Sequence, residues 1–346
     1  MAAESLDIEN RDELQRYLER NFTRAEEYEI REFRVLAGGV SSRTVLVDFG
    51  FGARWVLKQA LAKLRVQADW FSDPRRVHRE ALGMRVLADL VPGSVPRLIF
   101  DDETHHVLGM EAVPEPHENW KSMLLAGNVD PKFATQFGEL LAKIHDRSFD
   151  HETFPQAFDD RTFFETLRVE PYYAYSASQE PRAVAFLTQL IADTRATRLT
   201  LVHGDYSPKN VLIHADRIVL LDHEVIHWGD PAFDVGFALC HFLSKAHHVP
   251  RLRSEFAGLA DAFWTVYVEK FVAPRVIFDA LGSEFYGTCA RQTLGCLLAR
   301  VVGRSPLEYL SAEERARQRE AVVRLIRKVP LDVPELIERF LQEIER

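Results

Sequence analysis

The chain is expected to be an α+β protein of two parts, and three features of its sequence carry that expectation. Its first 112 residues alternate short β-branched and apolar runs with glycine turns. The stretch beyond is dominated by helical spacing, and a loop rich in oxygen-bearing side chains interrupts it near Asp205. At 346 residues the chain exceeds one small core and suits a large domain or two lobes. The division is drawn between a first part, 1–112, and a second, 113–346.

Residues 8–20 read as an amphipathic helix, with Leu14 and Leu18 four apart among charged neighbours. Glu29 to Leu36 suggests a strand that Gly38-Gly39 breaks. Thr44 to Phe49 resumes extended structure, Gly50 to Gly52 turns, and Arg54 to Lys58 forms a third strand, giving an antiparallel meander. A helix is expected over His78 to Leu90, between Pro74 and Pro92, with further strands at Leu98–Phe100 and Val107–Met110. In the second part, Phe137, Leu140, Leu141 and Ile144 share a helical face. Two short strands, Val211–Ile213 and Ile218–Leu221, interrupt the helices. Arg315 to Lys328 interleaves Val322, Val323 and Ile326 with its arginines, which favours a solvated helix over a nucleic-acid patch.

Composition excludes several classes. The net charge of −9 argues against a nucleic-acid surface, because phosphate backbones are held by concentrated Lys and Arg. With 47% hydrophobic and 27% charged residues the chain is globular rather than disordered. Cys240, Cys289 and Cys296 form no C-x-x-C pair and read as buried apolar thiols. The acidic start has no apolar signal core, and no apolar run approaches a membrane span. A cytoplasmic chain with no membrane partner is therefore expected.

The chemistry is concentrated in His203-Gly204-Asp205-Tyr206-Ser207-Pro208-Lys209-Asn210, followed by a hairpin and then Asp222. Phosphoryl transfer needs a carboxylate that orients and deprotonates the attacking hydroxyl, with oxygen ligands that hold magnesium on the phosphates. Asp205 and Asn210 sit five apart on a loop stiffened by Pro208, and the hairpin returns Asp222 to the same end. Taken singly, each Asp is equally a turn or strand-end residue. Together they meet the requirement. In the first part, the backbone N–H groups of Gly38-Gly39-Val40-Ser41-Ser42 can approach a phosphate unhindered, although a simple hairpin would use the same pair of glycines.

The loop resembles the catalytic loop of the aminoglycoside phosphotransferase and choline kinase family. The resemblance runs from the turn at Gly38 to the helix after Asp234. It implies a protein-kinase-like two-lobed fold, with a small antiparallel-sheet N-lobe that binds nucleotide and a larger helical C-lobe that binds the acceptor. It further implies ATP and Mg2+ as cofactors and a small-molecule hydroxyl as acceptor: an aminoglycoside, an amino alcohol, a sugar or a related metabolite. By the same resemblance Asp205 is the catalytic base and Asn210 and Asp222 are magnesium ligands. Asp222-His223-Glu224 departs from Asp-Phe-Gly and is similar to methylthioribose-kinase-like members, which adds Glu224 to the metal site. Lys58 matches the phosphate-pairing lysine, and Glu80, on the expected helix, is placed to hold it. Met110-Glu111-Ala112-Val113 resembles the hinge whose backbone reads adenine, so Glu111 and Val113 join the nucleotide site. His203 and Asp234 are implied as scaffold.

Two other readings compete. His223-Glu224-Val225-Ile226-His227 spells H-E-x-x-H, the zinc-and-base pattern of metallopeptidases, which requires both histidines on one helical face. A kinase-like fold kept only as a binding or regulatory module is the second. It would be expected to have lost part of the set that Lys58, Asp205, Asn210 and Asp222 retain.

Overall fold

The computed structural model describes residues 6–22, 28–36, 41–50, 52–65, 70–272 and 282–346. The chain forms two compact units, Met1–Glu115 and Pro116–Arg346.

The first unit is built on one antiparallel sheet of β1 (Glu32–Val35), β2 (Ser42–Asp48), β3 (Arg54–Ala60), β4 (Leu98–Asp102) and β5 (Val107–Glu111), ordered β1-β2-β3-β5-β4. Side chains alternate across a strand, so β3 sends Trp55 and Leu57 to one face and Val56, Lys58 and Ala60 to the other. The first face joins Val45, Val47 and Val107 and is covered by Leu14, Tyr17 and Leu18 of the helix Arg11–Asn21. The second packs Ala60, Leu108 and Met110 against Val77, Ala81 and Met84 of the helix Arg76–Leu90. Helical spacing puts Glu80 on the same side of that helix as Val77 and Ala81. The register of a sheet face and the period of a helix thus bring Lys58 and Glu80 together.

In the second unit the helix Pro131–Ser148 packs on Arg253–Lys270, and Pro231–His248 packs on Gly282–Val302. From Pro231 to His247 every residue is buried, so this helix runs through the core with no solvent face. All three cysteines are buried thiols, as the sequence suggested. Three further strands, β6 (His117–Asn119), β7 (Thr200–Val202) and β10 (His227–Gly229), accompany the hairpin β8 (Val211–His214) and β9 (Arg217–Leu220). They pair as β6-β8-β9 and β10-β7. The hairpin turns on Ala215 and Asp216, both at positive φ, the backbone that a tight two-residue turn demands.

Gly236 marks where the two long helices touch. A Cβ there would lie 2.6 Å from the backbone carbon of Gln292 and 2.7 Å from the nitrogen of Thr293. Alanine is the better helix former by about 1 kcal/mol. Gly236→Ala is nevertheless expected to cost about 1–3 kcal/mol by overpacking against a backbone that cannot yield. Denaturant unfolding reads the difference directly, and unchanged or increased stability would contradict the close approach.

Candidate active site

The loop His203–Asn210 leaves β7 and is held from beneath by one carboxylate. Asp234 is buried in the first turn of Pro231–His248, whose N-cap, Asp230, accepts the Ala232 N–H at 2.9 Å. Its Oδ2 accepts from the His203 N–H at 2.7 Å and its Oδ1 from the Gly204 N–H at 2.8 Å. Gly204 has φ +77°, and a Cβ there would meet Val225 Cγ2 at 2.9 Å, so no other residue suits the turn. Burial works against the charged form of Asp234. The hydrogen bonds from His145 and the loop outweigh it, and the carboxyl is held below its ordinary range.

His203 ties the loop to the hairpin. Its Nδ1 accepts from the Asp205 N–H at 3.2 Å, and its Nε2 donates to the Leu221 carbonyl at 3.2 Å. Burial pushes the imidazole below its usual range, which suits this neutral, one-donor ring. Asn210 closes the loop by donating its side-chain amide to the Asp205 carbonyl at 3.0 Å and to Asp205 Oδ2 at 2.8 Å. Its amide oxygen is left as a lone-pair donor. The Leu221 N–H donates to the Asn210 carbonyl at 2.9 Å, so the β8–β9 hairpin delivers Asp222 beside the loop. Asp222 sits at φ +68°, a left-handed conformation that costs a non-glycine residue about 1–2 kcal/mol and marks a constrained position.

Sequence reasoning missed Arg168. It lies in a π-helical stretch, Glu165–Ala174, that contains Pro171. Its Nη2 pairs with Asp205 Oδ2 at 3.0 Å, while Nε donates to the Gly204 carbonyl at 2.8 Å. Burial disfavours the guanidinium, but Asp205, Tyr172, Glu224 and Asp222 raise its pKa on balance and keep it charged. The signal available was slight: a proline inside a segment of helical composition, with one arginine among aromatics.

In the first unit, Lys58 Nζ reaches both oxygens of Glu80, at 2.7 and 2.8 Å, in a nearly buried pair. Gly38 and Gly39 lie outside the described residues. Ser41 and Ser42 begin at the edge of β2, with the Ser41 carbonyl accepting from the Leu61 N–H at 2.9 Å and from buried Arg76. Glu111 ends β5, its N–H bonded to the Arg97 carbonyl and its exposed carboxylate paired with the Arg97 guanidinium. Val113 follows it and is half-buried.

The metallopeptidase pattern does not survive folding. Glu224 and Val225 form a turn, and His227 begins strand β10, opposite Val202. The two histidines therefore share no helical face. His227 stacks on Phe164 at 3.9 Å and donates Nδ1 to the Val225 carbonyl, while the His223 ring lies edge-on to His203. Among the described residues no three His, Cys, Asp or Glu side chains gather as a metal cage.

A kinase-like fold with this loop defines a class of protein. The chain belongs to the phosphotransferase enzyme family, whose sequence model matches residues 32–267, more than half its length. Among its relatives, the methylthioribose kinase of Geobacillus kaustophilus is 26% identical over 80% of this chain and 81% of that protein. The methylthioribose kinase of Pectobacterium atrosepticum is 25% identical, and the chain spans 64% of its length. Of solved structures, a choline kinase from Cryptosporidium parvum has a TM-score of 0.61 at 11% identity, covering 97% of this chain and all of that one. An amicoumacin kinase in complex with AMP-PNP and Ca2+ gives 0.58 at 15% identity, covering 92% and 94%. Both likenesses are of fold.

Asp230 connects the cap to pH. Burial raises its carboxyl to about 6, against the Ala232 N–H and the Gln292 amide that favour the charge. A folded-state pKa above the unfolded value favours folding at low pH. That contribution is complete below about pH 4 and is lost as pH rises through about 6. Asp230→Asn keeps a capping oxygen and removes the titration. Its stability relative to wild type is expected to rise by on the order of 2 kcal/mol between pH 4 and 7. Melting curves across that window check it, and a pH-independent difference would contradict it.

Proposed function

We propose that this chain transfers the γ-phosphate of ATP to a hydroxyl of a small molecule, with Asp205 as the base. The observation that carries the reading is the coupling of Asp205 to Asn210 by side chain and of Asn210 to Leu221 by backbone. It groups one carboxylate with two oxygen-bearing side chains, Asn210 and Asp222, on a rigid loop and hairpin. Asp205 then orients the acceptor hydroxyl and takes its proton. Lys58, held straight by Glu80, grips the nucleotide phosphates, and Gly38, Gly39, Ser41 and Ser42 are assigned to the same phosphates. The backbone from Glu111 to Val113 serves the adenine.

Asn210, Asp222 and Glu224 are the side chains that would hold magnesium. The fit rests on donor chemistry: hard oxygens, with no cage of three acidic or histidine ligands among the described residues. Magnesium prefers one or two protein carboxylates completed by water and phosphate oxygens. When bound it neutralises the phosphate charge that develops in transfer. A module that only binds would not need Lys58, Glu80, Asp205, Asn210 and Asp222 together, and the pairing of Lys58 with Glu80 favours the enzyme.

Asp205→Asn keeps the size of the side chain and an acceptor for Asn210. It is expected to lower ADP release in the presence of acceptor by roughly 10²–10⁴-fold, the usual contribution of a general base. Magnesium-dependent ATP affinity should be nearly unchanged. Steady-state turnover and calorimetry separate the two, and substantial turnover by the variant would remove Asp205 from the role.

A further inference from the structure

Beyond Asp205 the second unit buries two basic side chains that form no ion pair among the described residues. Arg300, on Gly282–Val302, is nine-tenths buried. Its Nη1 donates to three neutral acceptors: Tyr172 Oη at 2.8 Å, the Ser305 carbonyl at 2.6 Å and Ser305 Oγ at 3.0 Å. Its buried Nε has no hydrogen-bond partner. Lys245, on the central helix Pro231–His248, is fully buried and donates to the His241 carbonyl of its own helix at 3.2 Å. Among the described residues neither cation forms an ion pair.

These groups are contiguous with the loop. The Tyr172 ring has the guanidinium of Arg300 at 5.6 Å and that of Arg168 at 5.6 Å, and Arg168 pairs with Asp205. The Tyr309 ring has Lys245 Nζ at 5.5 Å and Lys121 Nζ at 6.0 Å, and the buried Tyr309 hydroxyl has no partner. Lys121 is paired with Glu308. Arg168, Tyr172 and Arg300 follow Asp205 in one series, Lys245, Tyr309 and Lys121 form a second cluster, and the two act on each other through charge, Arg300 on Lys245 and Tyr309 on Arg300. Burial, then the charge of Lys121, pushes Lys245 down to about 7. Burial with Lys245, Arg300, Lys121 and Lys209 drives His241 well below its usual range, so His241 adds no charge.

An ion taken out of water costs several kcal/mol unless a counter-ion meets it. A buried guanidinium, with a buried lysine poised to recharge, on the same side of the unit as a proposed phosphoryl-transfer base suits an anion from outside the chain. We propose that the acceptor is an anionic hydroxy compound, a hydroxy acid or a sugar phosphate, whose carboxylate or phosphate is received by Arg300 and Lys245 while its hydroxyl faces Asp205. Arg300 offers a planar fork and Lys245 a point charge, the two modes by which proteins hold these anions. An aminoglycoside or choline would meet repulsion in the same place. The inference rests on the phosphotransferase reading. In the transfer, the acceptor oxygen bonds to the γ-phosphorus, the bond from that phosphorus to the β–γ bridging oxygen breaks, ADP leaves and the hydroxyl proton passes to Asp205. Asp222 and Glu224 act on Arg168, whereas the carboxylate acting most on Arg300 is Asp205 and on Lys245 is Glu308.

The test uses the full chain saturated with Mg·AMP-PNP, so that the nucleotide site is filled. Inorganic phosphate, D-gluconate and D-glucose 6-phosphate are titrated calorimetrically near pH 7.5, with D-glucose and choline as uncharged and cationic controls. Anions are expected to bind with net proton uptake as Lys245 recharges. Affinity should fall roughly 10- to 100-fold in Arg300→Gln and in Lys245→Met. Gluconate against glucose 6-phosphate separates a carboxylate acceptor from a phosphorylated one. Lys245→Met replaces a buried amine that forms no ion pair by an apolar side chain of similar length and should fold at least as stably as wild type, which keeps the test open if Arg300→Gln misfolds. Anion binding unchanged in both variants, preferential binding of glucose or choline, or variants that lose AMP-PNP affinity and keep the anion would each overturn the proposal. Failure of wild type to bind Mg·AMP-PNP would instead indict the phosphotransferase reading on which it rests.

Discussion

Asp234 gives both carboxylate oxygens to the backbone of the loop that carries Asp205, and it does so from inside the core. Everything proposed for the second unit depends on that tether. Asp230 caps the helix Pro231–His248, the cap fixes the first turn, and the first turn fixes Asp234. Asp234 in turn fixes His203 and Gly204, whose positive φ turns the chain so that the next residue, Asp205, faces Asn210 and Arg168. Breaking one side of such a buried arrangement leaves donors unanswered, at about 3–5 kcal/mol for a charged member.

The price of this construction is charge buried along a single helix. Pro231–His248 carries Asp234, His241 and Lys245 with no solvent face, and each is accommodated differently. Asp234 is satisfied by hydrogen bonds within the chain. His241 is kept neutral by burial and its cationic neighbours. Lys245 donates to a carbonyl of its own helix and lies over the Tyr309 ring, and burial lowers its pKa instead of an ion pair holding its charge. The first unit follows the opposite economy, since Lys58 and Glu80 answer each other across a sheet face and a helix.

Local pattern made much of this legible. Alternating β-branched runs and glycine turns placed β1 to β5. The expected helix His78–Leu90 begins two residues earlier, at Arg76. The spacing of Asp205, Asn210 and Asp222 was readable because a loop and a hairpin are both short-range structures. Contacts between distant segments were not readable. Arg168 reaches Asp205 across a π-helical stretch whose proline reads as a break. The three-residue strands β6, β7 and β10 exist only through partners far along the chain. H-E-x-x-H stood as the less favoured reading, and the pairing of His227 with Val202 is what gives the segment its extended conformation. No local pattern marks Lys245 or Arg300, which only the packing of distant helices encloses.

The central claim is that Asp222, delivered beside Asp205 and Asn210, serves a magnesium–nucleotide site. The most direct test is a thermal melt of the wild-type chain and of Asp222→Ala with ATP, each with and without magnesium. A nucleotide bound only by the native state stabilises it by roughly 2.7 kcal/mol at about 100 times Kd. The account predicts a magnesium-dependent rise in melting temperature for wild type that Asp222→Ala loses. No rise at millimolar ATP, or a rise indifferent to magnesium and to Asp222, would contradict it.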